Sequence, residues 1–154
     1  MLGMEFEIRS LLEEDGQYVP VDSASRIPNK TYVSGAIIWR IGNKAILTER
    51  QSDLVDQLWA YIIDGLLQLR MEGAFETYFP DQALLLRFLR VESNQCRITV
   101  GDREFSVDCT VMNESLCQGG RLFFSRMCEL IPEHDHLWRE YLKKIEGLQR
   151  QDIL

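Results

Sequence analysis

The sequence predicts an α+β fold: an antiparallel sheet of about six strands, in the order βββ-α-βββ-αα, with helices packed mainly on one face. Three observations predict it. Runs of period-2 alternation occur both before and after the central segment, that segment (Leu54 to Leu69) carries apolar residues at helical spacing, and no strand-helix-strand alternation demands a parallel sheet. The 154 residues hold 45% hydrophobic and 27% charged side chains, enough for one domain with a continuous core and too apolar for disorder. A single domain over 1–154 is the expectation.

Met4 to Leu12 opens with Glu5 and Glu7 alternating with Phe6 and Ile8, the pattern of a half-buried strand. Glu13, Glu14, Asp15 and Gly16 form a turn. The stretch to Lys30, with Pro20, Asp22, Ser23, Ser25, Pro28 and Asn29, reads as the longest irregular segment. Thr31 to Ile41 and Lys44 to Thr48, parted by Gly42-Asn43, form a hairpin. Ser52 or Asp53 caps the first helix, whose apolar positions include Leu58, Trp59, Ile62, Ile63 and Leu66. At about 100° per residue, Asp53, Asp56 and Asp64 fall on the opposite side. Gly73 ends it, and Tyr78-Phe79-Pro80-Asp81 is a turn.

Ala83 to Val91, Gln95 to Gly101 and Glu104 to Cys109 form a meander with one polar face carrying Arg97, Thr99, Ser106 and Asp108. A turn at Asp102-Arg103 sets Cys96 opposite Cys109 and Arg97 opposite Asp108. A II′ turn at Gly101-Asp102 shifts the register and separates both pairs; the sequence leaves the two open. Asn113 or Ser115 caps a second helix with Leu116, Phe123, Phe124, Met127, Leu130 and Ile131 on its buried face. Pro132 opens a third, with Leu137, Trp138, Tyr141, Leu142, Ile145 and Leu148 on its apolar face.

The composition narrows function. Residues 1–81 hold 13 acids against 7 bases, residues 82–154 hold 11 against 10, and the net charge is −7. Such a field opposes nucleic acid and suits a basic protein partner. Met1 to Arg9 lacks the features of a signal peptide, and Asp56, Gln57, Asp64 and Gln68 interrupt the longest apolar stretch, so no membrane span is expected. Cys96, Cys109, Cys117 and Cys128 lack C-x-x-C spacing and read as buried, reduced thiols of a cytoplasmic protein.

No phosphate-loop, dinucleotide or nucleophile-elbow motif is present. Gly119-Gly120-Arg121 can approach a phosphate, but a glycine pair equally permits close helix packing. His134-Asp135-His136 with Glu133 has metal-ligand chemistry; on a helix its imidazoles point about 200° apart and cannot share an ion. Cys128 precedes these histidines, yet its apolar setting suits a buried thiol. No catalytic residue, cofactor or metal is expected.

What remains is surface. Asp53, Asp56 and Asp64, with Glu13, Glu14, Asp15 and Asp22, form a candidate acidic surface; Tyr61, Tyr78 and Phe79 are candidate aromatic anchors, with packing of Tyr78 and Phe79 over the end of the core as the alternative. The runs Val55-Asp56-Gln57-Leu58-Trp59-Ala60-Tyr61 and Tyr78-Phe79-Pro80-Asp81-Gln82 resemble small uncharacterised bacterial proteins of the polymorphic-toxin immunity type, over roughly residues 33–91. That resemblance implies a cytoplasmic protein that blocks a toxin domain by covering its active surface. Two rivals stand beside it: a ligand-binding protein or enzyme using the polar sheet face, and a structural or regulatory homodimer.

Overall fold

A computed structural model describes residues 5–150. In chain order it contains β1 (Phe6–Glu14), β2 (Gln17–Pro20), β3 (Ser34–Ile41), β4 (Lys44–Leu47), β5 (Asp53–Leu54) and α1 (Val55–Glu72). Then follow β6 (Ala74–Tyr78), β7 (Leu85–Glu92), β8 (Gln95–Val100), β9 (Arg103–Asp108), α2 (Cys109–Leu130) and α3 (Asp135–Arg150). Met4, where the sequence begins its first strand, lies outside the described residues. The α+β class and the antiparallel pairing are as expected, but the strands divide into two sheets. One has the order β2-β1-β3-β4 with β5 on β3, the other β6-β7-β8-β9.

The additional strands are short. β2 is a four-residue return from a turn at Asp15 and Gly16, both at positive φ (51° and 80°), the geometry of a type I′ hairpin. β5 is two residues, and β6 begins directly after the left-handed Gly73 that ends α1. Where the sheets meet, β4 and β9 share no ladder. Instead Arg103 donates to the carbonyls of Ala45 (3.2 Å) and Ile46 (3.0 Å), and Lys44 donates to the Ser106 carbonyl.

The last hairpin turns at Gly101-Asp102, with Val100 opposite Arg103 and Gln95 opposite Asp108. Gly101 alone carries positive φ (65°), as a II′ turn requires. Cys96 therefore faces Val107, yet it is joined to Cys109 by a disulfide with Cα atoms 5.3 Å apart. The expected separation fails because Cys109 is the first residue of α2, where the chain leaves the strand and swings back over β8. The expectation of four reduced thiols is corrected accordingly: Cys96 and Cys109 are bonded to each other, and Cys117 and Cys128 stay outside the disulfide.

Helix starts also differ from expectation. α2 is capped by Asp108, whose Oδ1 accepts the Val111 N–H at 3.0 Å, rather than by Asn113 or Ser115. α1 has Leu54 at its N-cap and no side-chain cap, because Asp53 is drawn into the β3 ladder.

One cluster of buried residues spans both sheets and all three helices. Trp39 Nε1 donates to Ser115 Oγ and Trp59 Nε1 to Ser10 Oγ, both at 2.9 Å, so the two buried indoles are satisfied. A Cβ at Gly119 would collide with Ile8 and lie 2.8 Å from Trp59 Cη2, so Gly119 and Gly120 serve close packing rather than a phosphate. Phe124 stacks on Tyr141 at 5.1 Å, joining α2 to α3.

The segment after β2 is anchored rather than free. Val21, Ala24, Ile27 and Val33 are buried. Arg126 of α2 donates to the carbonyls of Val21 (3.1 Å) and Ala24, and Lys30 pairs with Glu133 at 2.6 Å.

Ser115→Ala leaves the Trp39 indole N–H buried without an acceptor and is expected to destabilise the fold by about 1–3 kcal/mol. Urea denaturation followed by tryptophan fluorescence measures this; an unchanged midpoint refutes the role given to that bond.

Candidate functional site

Antiparallel pairing of β1 with β3, and of β3 with the short β5, sets the end of β1 beside the start of β3 and beside β5, next to the tight Asp15-Gly16 turn. Two adjoining hollows open there and share Glu13 and Ser34. The first, about 230 Å³, is walled by Asp15 and by Ile27, Pro28, Asn29, Tyr32 and Val33. The second, about 320 Å³, is walled by Ser52, Asp53, Leu54, Asp81 and Gln82. Four carboxylates, Glu13, Asp15, Asp53 and Asp81, line the combined cleft, and no lysine, arginine or histidine does. Tyr32 is 60% exposed, and Tyr18, also exposed, sits directly across the ladder from Glu13.

Asp53 has a structural task within this cleft. Its Oδ1 accepts the N–H groups of Leu54 (2.7 Å) and Asp81 (3.0 Å), and its Oδ2 accepts Gln82 Nε2 at 2.7 Å. Gln82 Nε2 also reaches the Ser52 carbonyl at 2.8 Å. This carboxylate latches the turn between β6 and β7, in the second sheet, onto the first, so it positions Asp81 rather than standing free for a partner. Glu13 and Asp81, both exposed, are the acids on either side of it.

The other expected site residues lie elsewhere, and the helix stripe is not one open acidic face. Asp64 accepts the Tyr141 hydroxyl and Lys144 Nζ, each at 2.9 Å, and is neutralised between α1 and α3. Burial, then the Asp64 carboxylate, pushes the Tyr141 phenol far above its ordinary range. Asp56 is half-buried with Oδ1 accepting the Gln57 N–H at 2.9 Å; desolvation raises its pKa against that bond and the nearby His134. Tyr61 is half-buried, as is Glu14, whose Oε1 is enclosed with no hydrogen-bond partner, and Asp22 is exposed on a 3-10 turn. Tyr78 and Phe79 part company: Tyr78 is 58% exposed, whereas Phe79 is 4% exposed and packs in the core. Phe79 is therefore corrected from anchor to core residue.

Among the described residues no group of three or more His, Cys, Asp or Glu side chains could hold a metal. Hydrogen bonds from Lys30 and Arg139 hold the Glu133 and Asp135 carboxyls below their ordinary range. Burial and the neighbouring Asp135 raise the Cys128 thiol, the opposite of an activated nucleophile. On the outer face of the second sheet Arg87 lies 3.9 Å from both Glu76 and Glu104, and Asp108 is occupied by the α2 cap. No helix among the described residues is long and apolar enough to cross a membrane.

Asp81 was legible only as a turn residue, because nothing in its local sequence ties it to Asp53, 28 residues earlier. Its membership of the cleft is a consequence of long-range folding.

Asp53→Ala removes the latch and is expected to speed amide exchange of Asp81 at least tenfold, with a loss of about 1–3 kcal/mol of stability. Hydrogen exchange read residue by residue checks both. Asp56→Asn keeps an acceptor for Gln57 while deleting a carboxylate whose charged form the fold disfavours. Because the folded pKa is raised, the wild-type penalty is full above that raised value and fades as pH falls through it to the ordinary aspartate range. Asp56→Asn is thus expected to unfold at higher urea than wild type at pH 7 and to match it in acid; the reverse order refutes the burial argument.

No family model matches the chain, and neither a curated protein nor a solved structure is similar to it.

Proposed function

We propose that this chain is a non-catalytic binding protein that captures a basic protein partner in the Glu13–Asp81 cleft, most concretely an immunity protein that neutralises a toxin domain. The observation that carries the reading is a cleft lined by four carboxylates with no countercharge. Together with a net charge of −7, such an arrangement attracts lysine and arginine side chains and speeds their encounter. Tyr32 and Tyr18 beside the acids supply the rigid aromatic surface that protein interfaces favour. Inhibition of this kind needs shape and charge, and no cofactor or catalytic group.

The resemblance to immunity proteins implies a cytoplasmic chain, in a compartment where cysteines stay reduced. The Cys96–Cys109 disulfide favours a second reading of the compartment, an oxidising one, with the same acidic cleft and the same class of partner.

Affinity capture of the tagged chain from its native cells, followed by kinetics with the recovered partner, tests the proposal. Glu13→Lys combined with Asp81→Lys should slow association at least tenfold at low salt, with the gap closing as salt is raised. A partner that is toxic alone and harmless when coexpressed with this chain supports the immunity role. An association rate untouched by the double substitution removes the cleft from the interface.

A further inference from the structure

β6, an edge strand of the second sheet, leads toward the acidic cleft; among the described residues no strand pairs with its outer edge, and its sequence carries neither proline nor lysine. Arg90 N donates to the Gly73 carbonyl at 3.0 Å, and Phe79 N to the Leu84 carbonyl at 2.9 Å. The two-residue period of an antiparallel ladder therefore turns the main-chain groups of Phe75 and Thr77 toward β7, and those of Ala74, Glu76 and Tyr78 away from it. The Thr77 hydroxyl donates to one of these outward groups, the Tyr78 carbonyl, at 3.3 Å. The edge is flanked by exposed acids, Glu72 and Glu76, the latter 3.9 Å from Arg87 of β7 and still largely open to solvent, and by two large exposed side chains, Met71 (81%) and Tyr78 (58%). From Tyr78 the chain passes through Phe79 and Pro80 to Asp81, which the Asp53 latch holds in the cleft.

We infer that β6 takes an extended, lysine- or arginine-bearing segment of the protein partner as an added antiparallel strand, with one of its basic side chains reaching the cleft at Asp81. This rests on the binding role proposed above and specifies its geometry. Main-chain bonds to Ala74, Glu76 and Tyr78 hold the segment, and alternate basic side chains meet Glu76 and Asp81. Charge disfavours a second copy of this chain: antiparallel self-pairing centred on Glu76 sets that carboxylate against its own copy, and in any register both chains carry a charge of −7.

The test uses the full, isotope-labelled chain and an acetylated nine-residue peptide alternating lysine with threonine. A peptide with the same lysines and proline in place of threonine cannot offer the main-chain N–H groups. The alternating peptide should bind at least tenfold tighter than the proline peptide and slow amide exchange at Ala74, Glu76 and Tyr78. Tyr78→Pro deletes one outward N–H and leaves the β7 ladder intact, so it should cut that affinity at least tenfold. Glu76→Lys should do the same by charge, and it serves if the proline variant fails to fold. Shifts confined to Glu13, Asp15 and Ser34, without protection of β6, overturn the added strand and leave the cleft reading standing; shifts at neither place overturn both. Concentration-dependent protection of β6 without peptide assigns the edge to a second copy and overturns the inference.

Discussion

The seating of α2 governs the rest of this molecule. At Gly119 the helix backbone comes so close to Ile8 of β1 and to Trp59 of α1 that no side chain fits between them. That approach lets Ser115 meet the Trp39 indole and sets Phe123 and Phe124 into the core, where Phe124 carries α3 through Tyr141. It also brings Arg126 within reach of the Val21 and Ala24 carbonyls, which fixes the segment that later becomes one wall of the cleft. A glycine in mid-helix is unfavourable by about 1 kcal/mol relative to alanine. Here the contacts it permits hold two sheets and three helices in one core.

Asp53 extends that organisation to the surface. A half-buried carboxylate that accepts three hydrogen bonds, two of them from Asp81 and Gln82 of the turn, is a stronger fastener than most surface ion pairs, because the bonds are charge-assisted. The latch joins β5 of the first sheet to the turn between β6 and β7 in the second, so the acidic cleft and the open β6 edge become parts of one surface. The acids therefore fall into two kinds. Asp53 and Asp64 are consumed by internal partners, while Glu13 and Asp81 remain facing solvent.

Elements with strong periodicity were legible in the sequence: the apolar stripe of α1, its end at Gly73, the Gly42-Asn43 hairpin and the meander over β7 to β9. What could not be read were features decided by distant residues or by very few of them. β5 is two residues long and exists only because β3 pairs with it, and α2 starts early because Asp108 finds the Val111 N–H. The Cys96–Cys109 bond depends on the path the chain takes after the sheet, which residue spacing does not encode. Within the site, Glu13, Asp15 and Asp53 were legible as acids of the first half, but their grouping with Asp81 was not. Asp64 looked free because Lys144 and Tyr141, which neutralise it, lie about 80 residues further along the chain.

The seam between β4 and β9, bridged by side chains instead of a ladder, bears on how the molecule comes into being. Each sheet is drawn from an unbroken stretch of chain, residues 6–54 for one and 74–108 for the other, and α2 and α3 follow both. Every ladder therefore closes within its own stretch, the widest separation being that of Phe6 and Ile41 across β1 and β3. As the chain leaves the ribosome, the first sheet can assemble and then the second, each waiting half-covered for its lid. Synthesis of α2 supplies the apolar face that seals them together, so the core closes only once the chain beyond residue 109 is in place.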